Sequence, residues 1–374
     1  MVVIFSFILS AYCVLMVVLL TGWIAVRRRN TAAVVGTLHQ QPCSISIIVA
    51  MRNESSNLEN LINDLSSMAY PSDRFEIIII DDHSTDTSPT KAKELIEKVN
   101  NARLLILPEG VEGKKSAIQF GIDQSRFEII ATTDADCRLS KNWLHCLSVS
   151  IIPEEIKMVV GAVKLIRGNS FFSRLQVTEF ISLVGTTASA IGLHHPVMCN
   201  GANLAFRKEV FNEVAGYNGN IQIASGDDEF LMRKIVDKYP SGVRFLNFYE
   251  GVVSTNAQQT LVDFFNQRLR WAGKWKHNSD WIARLLAVFI FLSQISFVGL
   301  ILLSISDPRI STVGIVVLKL FLEGIFLFWV ARFLERRFDG TAFIALQIFY
   351  PFYVVFIGSF SLVSSYRWKS RNYR

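Results

Sequence analysis

The sequence predicts an α/β protein built on a mainly parallel sheet and carried between apolar helices at its two ends. Three observations lead there. In the stretch 44–136, short apolar runs alternate with segments of helical period, the pattern of strands joined by crossover helices. Several of the runs are apolar without a break, as strands covered on both faces are. Residues 2–26 and three stretches after Trp281 (282–305, 312–330 and 342–364) carry few charges. Each is about 20 residues or longer, enough to cross a hydrocarbon core of about 30 Å.

Taken in order, residues 1–29 read as a transmembrane anchor. The run lacks a basic start and a small-residue cleavage site, so it is expected to be retained rather than cleaved as a signal peptide. Arg27, Arg28 and Arg29 follow it and place the next domain in the cytoplasm. Residues 30–43 read as a polar linker. From there "SISIIVAMRNE" is a strand, "NLENLINDLSSM" a helix, "FEIIIIDDHSTD" a strand and "PTKAKELIEKV" a helix. "ARLLILP" is again a strand, "KKSAIQFGIDQS" a helix and "FEIIATTDAD" a strand. Beyond it "SFFSRLQVTEFISLVGTTASAIGL" is an amphipathic stretch that suits a core helix or one near the membrane.

Residues 44–280 are then expected to form one cytoplasmic domain, and 281–374 a membrane region of two or three spans with a basic tail. Three crossings would leave Arg367, Lys369, Arg371 and Arg374 outside, against the positive-inside tendency, whereas Arg332, Arg336 and Arg337 fit inside. Lys319 and Glu323, four apart within an apolar stretch, are spaced to pair on one helix face as a neutralised pair. The net charge of +6 sits largely beside the apolar segments, where it favours anionic lipid headgroups, and no nucleic-acid partner is expected. The five cysteines make no C-x-x-C pair, so reduced thiols are expected and a zinc site is not.

The chemistry gathers at strand ends. Ligands of parallel sheets bind beyond the carboxyl ends of the strands. Arg52, Asn53 and Glu54 follow the first strand, Asp81 and Asp82 the second, and Asp134 and Asp136 a later one. One acidic strand end is commonly a turn or a helix cap, but three converging on one edge point to a site. Asp134 and Asp136 form a D-x-D pair, costly to hold side by side unless a cation neutralises them. Hard carboxylate oxygens in that arrangement suit Mg²⁺ or Mn²⁺, which complete their shells with water and substrate phosphates.

"VAMRNE", "IIIIDDHSTDTS", "EGKKSAI", "TTDAD", "SGDDEF" and "QRLRW" occur in this order between residues 44 and 275. Together they resemble the motifs of the membrane-bound glycosyltransferases of family 2, an inverting type with a GT-A (nucleotide-diphospho-sugar transferase) domain. That group includes processive polysaccharide synthases and poly-N-acetylglucosamine synthase-like enzymes. The resemblance implies that Asp82 and Asp81 contact uracil and ribose, with Arg52 and Glu54 nearby and Lys114 close to the nucleotide. It makes Asp136 the main metal ligand and turns Asp134 toward the metal, nucleotide or sugar. Asp228 becomes the general base on the acceptor hydroxyl, with Asp227 in support and Glu229 the base only if the register slips by one. In the Q-x-x-R-W motif, Arg270 is assigned to the diphosphate, and Gln267 and Trp271 to the acceptor, whose sugar faces suit an indole ring. "CNGANLAFRKEVFNEVAGY" resembles the stretch holding the donor sugar and acceptor end, which assigns Asn200, Gly201 and Asn203 to substrate. His194 and His195 read equally well as loop residues.

The implied activity is transfer of a hexose or N-acetylhexosamine from a UDP-sugar, with a divalent cation, to a lipid-linked or polysaccharide acceptor. The implied location is the inner membrane, with several spans and a cytoplasmic catalytic domain. Two other readings compete with it. A nucleotidyltransferase would be expected to carry a Gly-rich phosphate loop after its first strand, and "VAMRNE" has no glycine. A silent membrane subunit that binds nucleotide without turnover has no need for Asp82, Asp136, Asp228, Arg270 and Trp271 all together.

Overall fold

The computed structural model describes residues 1–37, 41–221, 226–273, 281–306, 310–360, 366–368 and 371–373. Helix α1 (Val2–Thr37) comes first and takes in residues 30–37 of the expected linker. No proline or glycine interrupts the chain between Arg27 and Val35, so nothing there stops a helix already under way. The alternation expected from the sequence follows. It runs β1 (Ile45–Met51), α2 (Leu58–Ser66), β2 (Phe75–Asp81), α3 (Ser88–Ile96), β3 (Ala102–Ile106), α4 (Lys114–Asp123) and β4 (Ile129–Thr132). Next are α5 (Trp143–Ile151), β5 (Met158–Gly161), β6 (Val163–Ile166), α6 (Phe171–Gly192), β7 (Leu204–Arg207) and α7 (Lys208–Glu213). Then come α8 (Asp227–Lys238), β8 (Val243–Leu246), β9 (Val253–Asn256), α9 (Leu261–Gly273), α10 (Trp281–Ser306), α11 (Ile310–Phe333) and α12 (Gly340–Phe360). Two short strands, β10 (Tyr366–Trp368) and β11 (Arg371–Tyr373), pair antiparallel after them.

The chain divides into two compact units. One comprises Ala25–Ile166 and Ala190–Asn256 and holds a seven-stranded sheet in the order β3-β2-β1-β4-β7-β5-β8. Its pairings are parallel except those of β7, which runs antiparallel to β4 and β5. All seven residues of β2 are buried, and six of β1, as their unbroken apolar runs require in a sheet covered on both faces. The connections turn about β1. The chain passes from β1 to β2 and β3 on one side, and α4 then carries it back to β4 on the other. A crevice therefore opens beyond the carboxyl ends of β1 and β4, where such sheets hold ligands. Register aligns Met51 with Asp81 and Ile48 with Thr132, so both acidic runs leave the sheet at this edge. A smaller parallel pair, β6 with β9, completes the unit.

The other unit comprises Met1–Ile24, Arg167–Ser189 and Ala257–Arg374. Among the described residues, four helices are long and apolar enough to cross a membrane: Val2–Arg28, Trp281–Ile305, Ser311–Phe333 and Gly340–Phe360. Polar groups inside such a bundle are costly unless they satisfy one another. Here Lys319 and Glu323 pair at 3.0 Å, as their spacing predicts. Tyr12 of α1 donates to Glu323 at 2.6 Å and Gln347 of α12 donates to it at 2.9 Å, while Lys319 donates to Gln347 and lies 4.0 Å over the Phe297 ring of α10. The network draws on all four apolar helices and fixes their relative register.

Asp339, just before α12, accepts two hydrogen bonds from Arg174 at 2.7 Å each and one from the Ala342 amide at 3.1 Å. The Arg174 hydrogen bonds, against partial desolvation and with help from Ala342 and Thr341, hold the Asp339 carboxyl well below the usual carboxylate range. A carboxyl depressed in the folded state adds stability above its unfolded value, about 3.9, and loses it as pH falls toward the folded value. Asp339→Asn should therefore melt below the wild type at pH 7, with the gap closing progressively below about pH 4. Thermal unfolding of the detergent-solubilised chain across that range measures it, and a gap independent of pH would sink the assignment.

Candidate active site

The first two strand ends interlock. Asn53 and His83, just beyond β1 and β2, both adopt left-handed backbone (φ 53° and 54°), a conformation that costs free energy outside glycine and clusters at functional sites. Arg52 donates to the carbonyls of Asp82 at 2.5 Å and His83 at 2.8 Å, while Asn53 Oδ1 accepts from the Thr85 amide at 2.8 Å. Asp81 is buried and accepts from the Ser84 amide at 3.2 Å, closing its own turn. Glu54 is also buried and accepts from Asn57 Nδ2 at 2.7 Å, at the entry to α2. Asp82, equally buried, accepts from the Gly113 amide at 3.1 Å. Gly113 caps α4 at φ 99°, so the second strand end is bonded to the start of that helix.

Lys114, the first residue of α4, reaches Asp134 at 2.6 Å. Part of the charge of the D-x-D pair is thus balanced by a lysine of this chain. Asp136 is the exposed member, and its Oδ2 accepts from the Thr255 hydroxyl of β9 at 3.2 Å. Burial first, and then the charges of Asp136 and Asp134, push the Cys137 thiol well up, so it stays protonated and offers no thiolate. The donor set is hard oxygen, which fits Mg²⁺ or Mn²⁺ with open positions for water and phosphate and does not fit zinc. Among the described residues no cluster of three or more His, Cys, Asp or Glu side chains is placed to hold a metal alone.

A thread of hydrogen bonds leads from this strand to the second acidic motif. Thr132, last residue of β4, donates to the carbonyl of Gly201 at 2.8 Å, and the Gly201 amide donates to Asp228 Oδ2 at 2.9 Å. Asp228 Oδ1 accepts from the Glu229 amide at 2.8 Å. The carboxylate thus stands in the first turn of α8, where the helix dipole favours an anion. The cap is Gly226 in left-handed conformation (φ 78°), which admits glycine without strain, and no side chain caps the helix. Ser225 lies outside the described residues, as does the side chain of Asp227. Glu229 is buried in an ion pair with Arg233 at 2.7 Å, which occupies the alternative base.

Asn200 and Gly201 lie beside Asp228. Asn200 Oδ1 accepts from the Ala202 amide at 3.1 Å and shapes the turn that presents the Gly201 amide. Asn203, assigned by sequence to the substrate, is instead a core residue. It is fully buried, donates to the carbonyls of Ala162 and Gly251 at 2.8 Å each, and accepts from Trp143 Nε1 at 2.9 Å. No polar atom remains for a sugar. Gly161 makes room for it, because a Cβ there would stand 2.2 Å from the Asn203 amide. Asn203→Leu would leave two buried polar groups, the Trp143 indole N–H and the Gly251 carbonyl, without this partner, while the Ala162 carbonyl keeps the Val253 amide. At about 1–3 kcal/mol each, that is a large share of a stability of roughly 5–15 kcal/mol. The expected result is a large fall in melting temperature, whereas lost transfer at unchanged melting temperature would restore the substrate role.

Gln267, Arg270 and Trp271 lie on α9 in the other unit. Trp271 is half-buried, with its ring 6.1 Å from that of Phe180 on α6. Thr132 and Thr255 belong to the site and were not legible in sequence. A threonine at a strand end is ordinary, and it is the bridge between Arg138 and Ser254 that brings Thr255 to Asp136.

The glycosyl transferase family 2 profile matches residues 46–215. The glycosyltransferase AglE of Haloferax volcanii is 24% identical over 234 residues, 60% of this chain and 71% of its own length. A beta-monoglucosyldiacylglycerol synthase of Nostoc sp. is 25% identical over 234 residues, 61% of this chain but 48% of its own length, so the chain spans only about half of that relative. Among solved structures, the mannosyltransferase PcManGT of Pyrobaculum calidifontis, in complex with GDP-Man and Mn²⁺, superposes with a TM-score of 0.57 at 14% identity. That match covers 93% of this chain and 99% of the other, and it shows a shared fold. Motifs, sheet order and matches agree that the chain carries a glycosyl transferase family 2 domain of the GT-A fold.

Proposed function

We propose that the protein is an inverting glycosyltransferase that moves a hexose or N-acetylhexosamine from a UDP-sugar to a lipid, a lipid-linked sugar or a growing saccharide at the cytoplasmic membrane face. One observation carries the reading. Asp228, at a helix N-terminus, is tied through Gly201 and Thr132 to the strand that leads into Asp134 and Asp136. A base for the acceptor and a carboxylate pair for the donor diphosphate thus share one rigid sheet edge, as in-line displacement requires.

In the reaction, the acceptor hydroxyl gives its proton to Asp228 and its oxygen attacks the anomeric carbon opposite the diphosphate. The bond from that carbon to the diphosphate oxygen breaks, its electrons leave with UDP, and the anomeric configuration inverts. Asp227 supports the base. Asp136 with Asp134 would hold Mg²⁺ or Mn²⁺, which supplies Lewis-acid charge for the leaving diphosphate when bound. Lys114 stands where it can pass from Asp134 to a phosphate oxygen. Asp81, Asp82, Arg52 and Glu54 shape the nucleotide pocket through their loops, and the motif resemblance gives Arg270 to the diphosphate and Gln267 and Trp271 to the acceptor. The apolar helices, with Arg27 and Arg28 after the first, support a membrane-held acceptor and a cytoplasmic site. The names of the Nostoc and Pyrobaculum proteins suggest diacylglycerol as a lipid acceptor to try and GDP-mannose as a rival donor.

The test offers the purified chain UDP-glucose, UDP-N-acetylglucosamine and GDP-mannose with Mn²⁺, each with diacylglycerol vesicles or membrane lipid extract. Labelled product from one UDP-sugar, abolished by chelator, supports the proposal. Transfer from GDP-mannose alone would overturn the donor class, and metal-dependent nucleotide binding without transfer to either acceptor would favour a silent subunit.

A further inference from the structure

Arg268 occupies a variable position of the Q-x-x-R-W motif, yet it is 3% exposed and among the most buried charges in the chain. Its Nη2 donates to Glu179 Oε2 at 2.7 Å and its Nε to Oε1 at 3.3 Å, a two-pronged pair with a carboxylate that is itself 8% exposed. Nη1 donates to the Gln267 side-chain oxygen. The guanidinium lies between two rings, 4.5 Å from the centroid of Phe264 and 4.4 Å from that of Trp271. Glu179 is followed on α6 by Phe180, whose ring meets Trp271. One arginine therefore touches two of the motif's three named side chains and anchors them to α6.

A buried ion pair is poor value as a source of stability, because desolvating two charges cancels much of their attraction, and apolar residues of similar volume often do as well. It can do what an apolar filler cannot. A planar guanidinium fixed by a carboxylate dictates the plane of a ring stacked on it and the direction of an amide bonded to it. We propose that the Glu179–Arg268 pair sets the position of the Trp271 ring and the Gln267 amide, making Arg268 a positioning residue for the acceptor end of the reaction. The inference rests on the reading of Trp271 as an acceptor-side residue.

The test uses the full chain in detergent, labelled with 5-fluorotryptophan, with the Trp271 resonance identified among the seven tryptophans by Trp271→Phe. Glu179→Gln with Arg268→Met removes both charges together, so neither is left buried and unpaired. The expected spectrum shows the Trp271 signal shifted or broadened, the resolved others in place, and UDP affinity within about twofold of wild type. With UDP-glucose and diacylglycerol vesicles as probe, the acceptor KM should rise about tenfold, equivalent to about 1.4 kcal/mol. In a Trp271→Ala background the same pair should add less than about twofold, since its effect passes through the missing ring. An unmoved Trp271 signal overturns the inference, as do shifts spread over most tryptophans with a lowered melting temperature, the mark of a merely structural pair. Full transfer by Trp271→Ala would instead sink the acceptor-side reading, whatever the spectrum shows.

Discussion

Asp228→Asn should lower kcat for sugar transfer by about 10²- to 10⁴-fold, the span that a positioned general base contributes, while leaving UDP binding and melting temperature close to wild type. The reasoning is geometric. The amide oxygen can still accept from the Gly201 amide, which the carboxylate now does at 2.9 Å, so the turn that carries Asn200 and Gly201 should persist. What disappears is the basicity, together with the bond from the Glu229 amide, which an NH2 group cannot accept. The lost charge at the start of α8 costs only about 0.3–1 kcal/mol of helix-dipole interaction, too little to unfold the domain. Glu229→Gln is the informative neighbour. It breaks a buried ion pair with Arg233 and should cost stability while sparing transfer. If Glu229→Gln abolished transfer at unchanged melting temperature and Asp228→Asn did not, the base would be Glu229.

The sequence showed the parts of this site that are periodic or ordered along the chain. Continuous isoleucine runs such as 77–80 announce strands buried on both faces, and an acidic residue at their end announces the edge of the sheet. Lys319 and Glu323 were legible for the same reason, because four residues return a helix to the same face. The features missed depend on contacts distant in sequence. Asn203 reads as a polar group beside a glycine turn, an apt sugar ligand, and only the burial of Trp143, Ala162 and Gly251 around it reveals a hydrogen-bonded core residue. Arg268 reads as a filler between Gln267 and Arg270 until α6 supplies Glu179. The linker was misread because a polar run looks like a loop, although polarity alone does not stop a helix.

Asp136→Ala should abolish the Mn²⁺ dependence of UDP binding and lower transfer on the order of 10³-fold, the several kcal/mol that a bound cation gives to a leaving diphosphate. The two acids of the D-x-D pair are not equivalent. Asp134 already faces Lys114 at 2.6 Å, so its charge is partly answered within the chain, whereas Asp136 is exposed and held by the Thr255 hydroxyl at 3.2 Å. Removing Asp136 takes away the exposed hard oxygen, and Lys114 still answers Asp134. Thr255→Val leaves both carboxylates and removes only the hydroxyl that orients one of them, so its cost should be the roughly 10- to 100-fold loss typical of an outer partner to a metal ligand. Titrating UDP into each variant with Mn²⁺ and with chelator separates the cases. Wild type and Thr255→Val should both respond to metal, the second more weakly, and Asp136→Ala should bind UDP equally weakly in either condition. Retained metal-dependent binding in Asp136→Ala, with the dependence lost in Asp134→Ala, would reverse the roles of the two carboxylates and make Lys114 a partner displaced by the cation.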